Sequence, residues 1–161
     1  MNYSSKTLLL LLAIVCIAFS ACNDNRVYEY NYLMKQNNWY VDTIPTFHFS
    51  IDQPEKAYHV FLNVRNTVAY PYYNLFVNYQ LCDSVGNKLQ AQQVEMMLLD
   101  PKTGRPLGNG LGDLFFHQFP VLSQYKFPYK GKYTIKLVQY MRENPLPEVM
   151  SAGVRIEEVV K

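Results

Sequence analysis

The sequence predicts an all-β chain that folds as a single-domain antiparallel β-sandwich. Three observations lead there. Apolar residues recur at every second position through much of the chain, the period of half-buried strands rather than of helices. Turn-forming clusters punctuate these runs at Asp52-Gln53-Pro54, Asp83 to Asn87, Asp100 to Gly112 and Asn144-Pro145-Leu146-Pro147. The composition also leans on strand formers: 14 of 161 residues are tyrosine and nine are phenylalanine, and such rings suit a pleated, half-buried surface. Strands this closely spaced in a chain of this length read as a sandwich. Immunoglobulin-like and jelly-roll-like arrangements both fit the pattern.

The first segment lies outside that fold. Lys6 precedes an uncharged, mostly apolar run from Thr7 to Phe19, shorter than the ~20 residues a membrane-spanning helix needs. A positive start, a short apolar stretch and small residues before a cleavage point describe a signal peptide. Phe19-Ser20-Ala21-Cys22 has the form of the lipobox that ends a bacterial lipoprotein signal. Read this way, residues 1–21 are removed, the Cys22 thiol receives a diacylglycerol and its amine a further acyl chain of the palmitate class. Two or three acyl chains, at ~0.8 kcal/mol per buried methylene, hold a protein at a bilayer where one chain leaves it reversible. The alternative is an ordinary secretory signal with a chance cysteine. Residues 22–38 then comprise the lipidated start, a tether and a possible first edge strand around Val27-Tyr28-Glu29-Tyr30, and residues 39–161 form the sandwich.

The strands follow in order. Phe47, Phe49 and Ile51 alternate with Thr46, His48 and Ser50. Val60, Leu62 and Val64 alternate with His59, Phe61 and Asn63. Leu75, Val77, Tyr79 and Leu81 alternate with Phe76, Asn78 and Gln80. Lys88 to Leu99 reads as one strand with a poorly defined register. Tyr133, Ile135 and Leu137 form the next strand after the turn Lys130-Gly131, and Val154 and Ile156 repeat the pattern beside Arg155 and Glu157. No long amphipathic helix is present; Pro147 to Met150 fits a single helical turn.

Charge and cysteine content narrow the function. Loss of Lys6 leaves 14 basic against 13 acidic side chains in the mature chain, a balance that argues against a nucleic-acid binder. Cys16 leaves with the signal and Cys22 is consumed by lipid, so only Cys82 remains and the exported fold stands without an intrachain disulfide. Cys82 closes a strand and reads as a small, partly buried side chain rather than a reactive thiol.

Catalytic signatures are missing. The glycines at 108, 110 and 112 do not have dinucleotide-fingerprint spacing, and no P-loop pair follows; a loop needing several positive-φ residues accounts for them better. His48 and His59 become cross-strand neighbours if their strands form a hairpin, but two histidines without a third ligand make a weak metal site, and none is assigned to them or to His117. No hydrolase or metalloprotease motif appears, so no enzymatic activity and no cofactor beyond the covalent lipid are expected. Tyr70-Pro71-Tyr72-Tyr73 is the densest tyrosine cluster, either a strand entrance or a binding patch.

Several segments taken together resemble a known family. Arg65-Asn66 with Tyr70-Pro71-Tyr72-x-Asn74-Leu75, the loop Gly108-Asn109-Gly110-Leu111-Gly112-Asp113, and Gly131-x-Tyr133 leading to Met141-Arg142-x-Asn144-x-Leu146 and Gly153-Val154-Arg155-Ile156 are similar to the gliding motility lipoproteins called GldH. The resemblance spans about Tyr28 to Glu157. It implies a non-catalytic, lipid-anchored envelope protein of Bacteroidetes-type bacteria, associated with the gliding apparatus and its coupled secretion machinery, with other envelope proteins as partners. Asn23-Asp24-Asn25 lacks the acidic run linked to surface display in such bacteria, which favours an outer-membrane protein facing the periplasm. Candidate partner-facing residues within the motifs are Arg65, Asn66, Tyr70, Tyr72, Tyr73, Asn74, Arg142 and Arg155. For the three arginines, a structural role at strand ends, using the planar donor fork, is the preferred reading. The competing functional class is a glycan-binding lipoprotein of an outer-membrane uptake system, with Trp39 and a platform of tyrosines such as Tyr72 and Tyr73; that rests on fold analogy.

Overall fold

A computed structural model describes residues 25–160; the signal segment, Cys16 and Cys22 lie outside the described residues. Among the described residues nine strands form: β1 Arg26–Leu33, β2 Thr46–Ile51, β3 Tyr58–Thr67, β4 Asn74–Asp83, β5 Lys88–Met97, β6 Asn109–Leu111, β7 Leu114–Tyr125, β8 Gly131–Gln139 and β9 Val149–Glu158. They make two antiparallel sheets. One has the order β1-β9-β3-β7-β6 and the other β2-β8-β4-β5. The pairings are nested: β4 with β5, β3 with β7, β2 with β8 and β1 with β9. A chain folded at the β4–β5 hairpin and rolled so that successive pairs fall in alternate sheets is a jelly roll. This selects one of the two arrangements the sequence left open.

Alternation becomes burial as the strand period requires. Phe47, Phe49 and Ile51 point inward from β2, Val60, Leu62 and Val64 from β3, and Leu75, Val77, Tyr79 and Leu81 from β4. β9 is buried nearly end to end because it lies between β1 and β3. Much of the aromatic content fills one end of the core. Phe127 packs edge-on against Tyr58 and Tyr125 and tilted on Tyr133, and Phe49 stacks on Tyr133.

The structure differs from the sequence reading at five places. β1 is a full member of its sheet, so the sandwich starts at Arg26. β5 has a defined register along β4, from Asn74 opposite Met97 to Leu81 opposite Gln90, with a shift between Leu81 and Cys82 that blurs the pattern at its polar start. β6 and β7 fall where the sequence showed a loop and no strand. Phe115-Phe116 and Pro120 interrupt alternation in β7, and its position beside the short β6 leaves many residues half-exposed. Pro147 to Met150 contains no helical turn; a 3-10 turn occurs instead at Lys35–Asn37. Finally, β2 and β3 do not form a hairpin. They belong to different sheets, so His48 and His59 are not cross-strand neighbours, and His48 Nδ1 instead hydrogen-bonds Thr134 Oγ1 at 3.1 Å.

Two kinds of glycine shape the β6–β7 region. Gly104 and Gly112 adopt φ of 67° and 62°, a region open to glycine without a Cβ penalty. Gly108 and Gly110 have ordinary φ but no room for a side chain: a Cβ on Gly108 would lie 2.5 Å from Phe116 O and 2.7 Å from the His117 ring, and one on Gly110 2.3 Å from the Phe115 ring. Close packing, not positive φ, explains those two.

Candidate functional site

The strand directions sort the connections between the two ends of the sandwich. The chain enters β1 at one end, where Asn25 Nδ2 donates to Glu158 O at 3.0 Å. Connections 52–57, 84–87 and 126–130 lie at this near end. The opposite, far end collects 34–45, 68–73, 98–108 and 140–148, which include the three longest.

Hydrogen bonds tie the far-end segments into one crown. Trp39, fully buried, exchanges two backbone bonds with Leu146, at 2.9 and 3.0 Å, and its indole N–H donates to Thr43 O. Val41 N–H donates to Asn144 Oδ1 at 3.0 Å. Thr67 N–H donates to Glu148 O, while Thr67 Oγ1 donates to the Glu148 carboxylate. Leu98 and Leu99 N–H both donate to Tyr73 O, and Val68 N–H to Asp113 O at 2.8 Å. Each segment is thus bonded to the next, and the surface they present is held rather than loose.

Seven of the eight candidate motif residues fall at this end. Tyr70 is a core residue: its ring is buried, its hydroxyl donates to Asn74 O at 2.9 Å, and burial pushes its pKa up. Tyr72 meets Tyr70 edge-on and donates to Glu143 Oε2 at 2.6 Å, a bond that raises the Tyr72 pKa. Tyr73 is 50% exposed. Asn74 Nδ2 donates to Glu95 Oε1 at 2.6 Å across the β4–β5 ladder. Tyr72, Tyr73, Asn74 and Phe76 line a shallow cleft of about 350 Å³ with Tyr140, Met141 and Arg142. Gln139 fixes the far wall, accepting from Met141 N–H and donating to Glu143 O. Segments around 70 and 140 are therefore brought face to face.

Arg65 and Asn66 part company. Arg65 points outward, exposed, and among the described residues its guanidinium has no hydrogen-bond or ion-pair partner. Asn66 points inward, fully buried; its Nδ2 donates to Thr67 O but its Oδ1 is unpartnered. On the same inner face His117 is 3% exposed, stacked on Phe119, with Nε2 unpartnered. Burial holds His117 neutral, its pKa pushed down to about 4. Sequence reading flagged His117 only as a metal candidate. The signal for its real setting, a glycine at 108 beside its ring, becomes visible only with β6 and β7 in place.

Arg155 lies within β9, away from the crown, in a network of ion pairs. Its guanidinium pairs with Glu29 Oε2 at 3.3 Å and with Glu157, and Arg26 reaches the same Glu29 oxygen at 2.8 Å. Glu29 also accepts from Asn63 Nδ2, whose Oδ1 accepts from Gln118. Gly153 makes this polar ladder possible: a Cβ there would lie 2.0 Å from Asn31 Oδ1 and 2.7 Å from Tyr30 O. Cys82 is free and buried, 3.3 Å from Gln80 Nε2.

A family model for GldH lipoproteins matches residues 26–156, almost the whole described domain. The chain belongs to the GldH lipoprotein family. Among its relatives, the gliding motility lipoprotein GldH homolog of Christiangramia forsetii is 31% identical over 150 residues, covering 88% of this chain and 90% of that one. The gliding motility lipoprotein GldH of Flavobacterium johnsoniae is 27% identical over 165 residues, covering 98% and 99%. Among solved structures, a carbohydrate-binding module specific for non-crystalline cellulose covers 82% of this chain and 72% of its own, at 12% identity and a TM-score of 0.39, a likeness too slight to bear on function. Within the family domain, the glycine loop, the Tyr70 segment and the Arg142 segment all lie in the crown, whereas Gly153 and Arg155 lie in the sheet below it.

Proposed function

We propose that the protein is a non-enzymatic lipoprotein of the gliding motility apparatus and its coupled secretion machinery, held by lipid on Cys22 to the outer membrane and facing the periplasm. The crown engages envelope proteins. The observation that carries this reading is spatial. The tether enters at one end of the sandwich, and the family-like surface segments gather at the other. From Cys22 to Arg26 the chain spans at most ~14 Å, which keeps the near end by the bilayer; in this reading the crown projects from it. Confinement on one membrane raises the effective concentration of weak partners there.

Metabolic labelling with palmitate, followed by fractionation, tests the anchor. Label in the outer-membrane fraction that vanishes in Cys22→Ala supports it; unlabelled or freely soluble wild-type protein contradicts it. The glycan reading retains one favourable observation: Tyr73 and Tyr140, 50% and 60% exposed, flank the cleft beside Asn74 and Arg142. Trp39 takes no part, being fully buried. Glycan-array binding lost in Tyr73→Ala would establish that alternative.

A further inference from the structure

The outward face of the five-stranded sheet carries, at its far end, an apolar patch around Arg65, a cation without a partner among the described residues. The register sets Leu33, Ser151, Arg65, Phe116 and Asn109 in a row across all five strands. Thr67, Leu114 and Leu111 form the next row of the same face, since directly opposite residues of a ladder share a face. Leu33 is 72% exposed, Leu111 91% and Leu114 41%, and Phe116 is half-buried. Nearer the tether on the same face, Arg155 is neutralised by Glu29 and Glu157. Arg65 has no such partner among the described residues.

Aliphatic and aromatic side chains around an arginine are the composition of an interface core. An unpaired guanidinium complements a carboxylate, which it binds through a fork of parallel hydrogen bonds. With the domain upright on its tether, the anchoring bilayer lies out of reach of the patch, a step that rests on the lipid-anchor reading. The tether reaches at most ~14 Å, whereas strands of ten residues such as β9 separate the two ends by ~33 Å. We propose that this patch docks a segment of a partner protein that presents a carboxylate between apolar side chains. Arg65 takes the carboxylate, and Leu33, Leu111, Leu114 and Phe116 take the apolar groups.

Photocrosslinking tests this on the full-length lipoprotein in its native envelope, with Leu111→benzoylphenylalanine as the probe. One protein adduct is expected, and its crosslinked peptide carries Asp or Glu flanked by apolar residues. Adding Arg65→Glu lowers the adduct yield at least about tenfold, the scale expected for breaking an interfacial charge pair, while the thermal midpoint stays unchanged. Reversing the partner's carboxylate to Lys restores the adduct. An adduct with lipid or with a second copy, no adduct, or a yield indifferent to Arg65→Glu overturns the proposal. Palmitate labelling of the same samples separates the two claims: loss of label indicts the anchor, and loss of charge dependence indicts the docking site.

Discussion

At the residue scale, the three family-motif arginines have different surroundings, and stability is expected to separate them. Arg155 bridges two carboxylates on a half-buried face, so Arg155→Ala is expected to cost about 1 kcal/mol, with part of the loss masked by high salt. Arg65→Ala and Arg142→Ala touch exposed groups and stay within about 0.5 kcal/mol of wild type. Urea unfolding of the three variants checks the contrast. The sequence placed all three together in recognisable motifs, but could not sort them, because Glu29 reaches Arg155 only through the β1–β9 pairing.

His117 supplies a second residue-scale prediction. Its imidazole has a pKa of about 4 when folded and takes up a proton near 6.5 when unfolded. Between those values the unfolded state binds more protons, so stability falls as pH drops from 6.5 to 4 and this contribution levels off below. The loss expected from His117 is about 3 kcal/mol over that window, and His117→Gln is expected to flatten the slope. Denaturation curves of both proteins across this range provide the comparison.

At the element scale, strands with clean alternation were legible and those without it were not. β2, β3, β4, β8 and β9 bury one or both faces and show the period. β7 was invisible because Phe115, Phe116 and Pro120 break the pattern, although it pairs along the length of β3. The far-end cleft was half legible: its two motifs stood in the sequence, but their meeting depends on β8 running beside β4. Local protection should follow the sheet order. Hydrogen exchange is expected to be slowest in β9, β3, β8 and β4, each flanked by two strands, and fastest in β6 and in the outer edge of β2. Rapid exchange throughout β9 would contradict the strand order.

At the scale of the whole molecule, the nested pairing decides which segments share an end of the sandwich. A jelly roll has two ends, and in this one the chain enters β1 at one end and builds its hydrogen-bonded crown at the other. Alternation identified the sandwich, but the ends are set by which strands pair at long range, and that pairing leaves no local mark. On the proposed anchor, the domain is expected to stand upright on its membrane. Fluorophores attached at position 111 or position 130 of the lipidated protein, in vesicles whose headgroups carry nitroxide, test it most directly. Strong quenching is expected at Lys130→Cys and none at Leu111→Cys; equal quenching at both, or the reverse order, would contradict an upright domain.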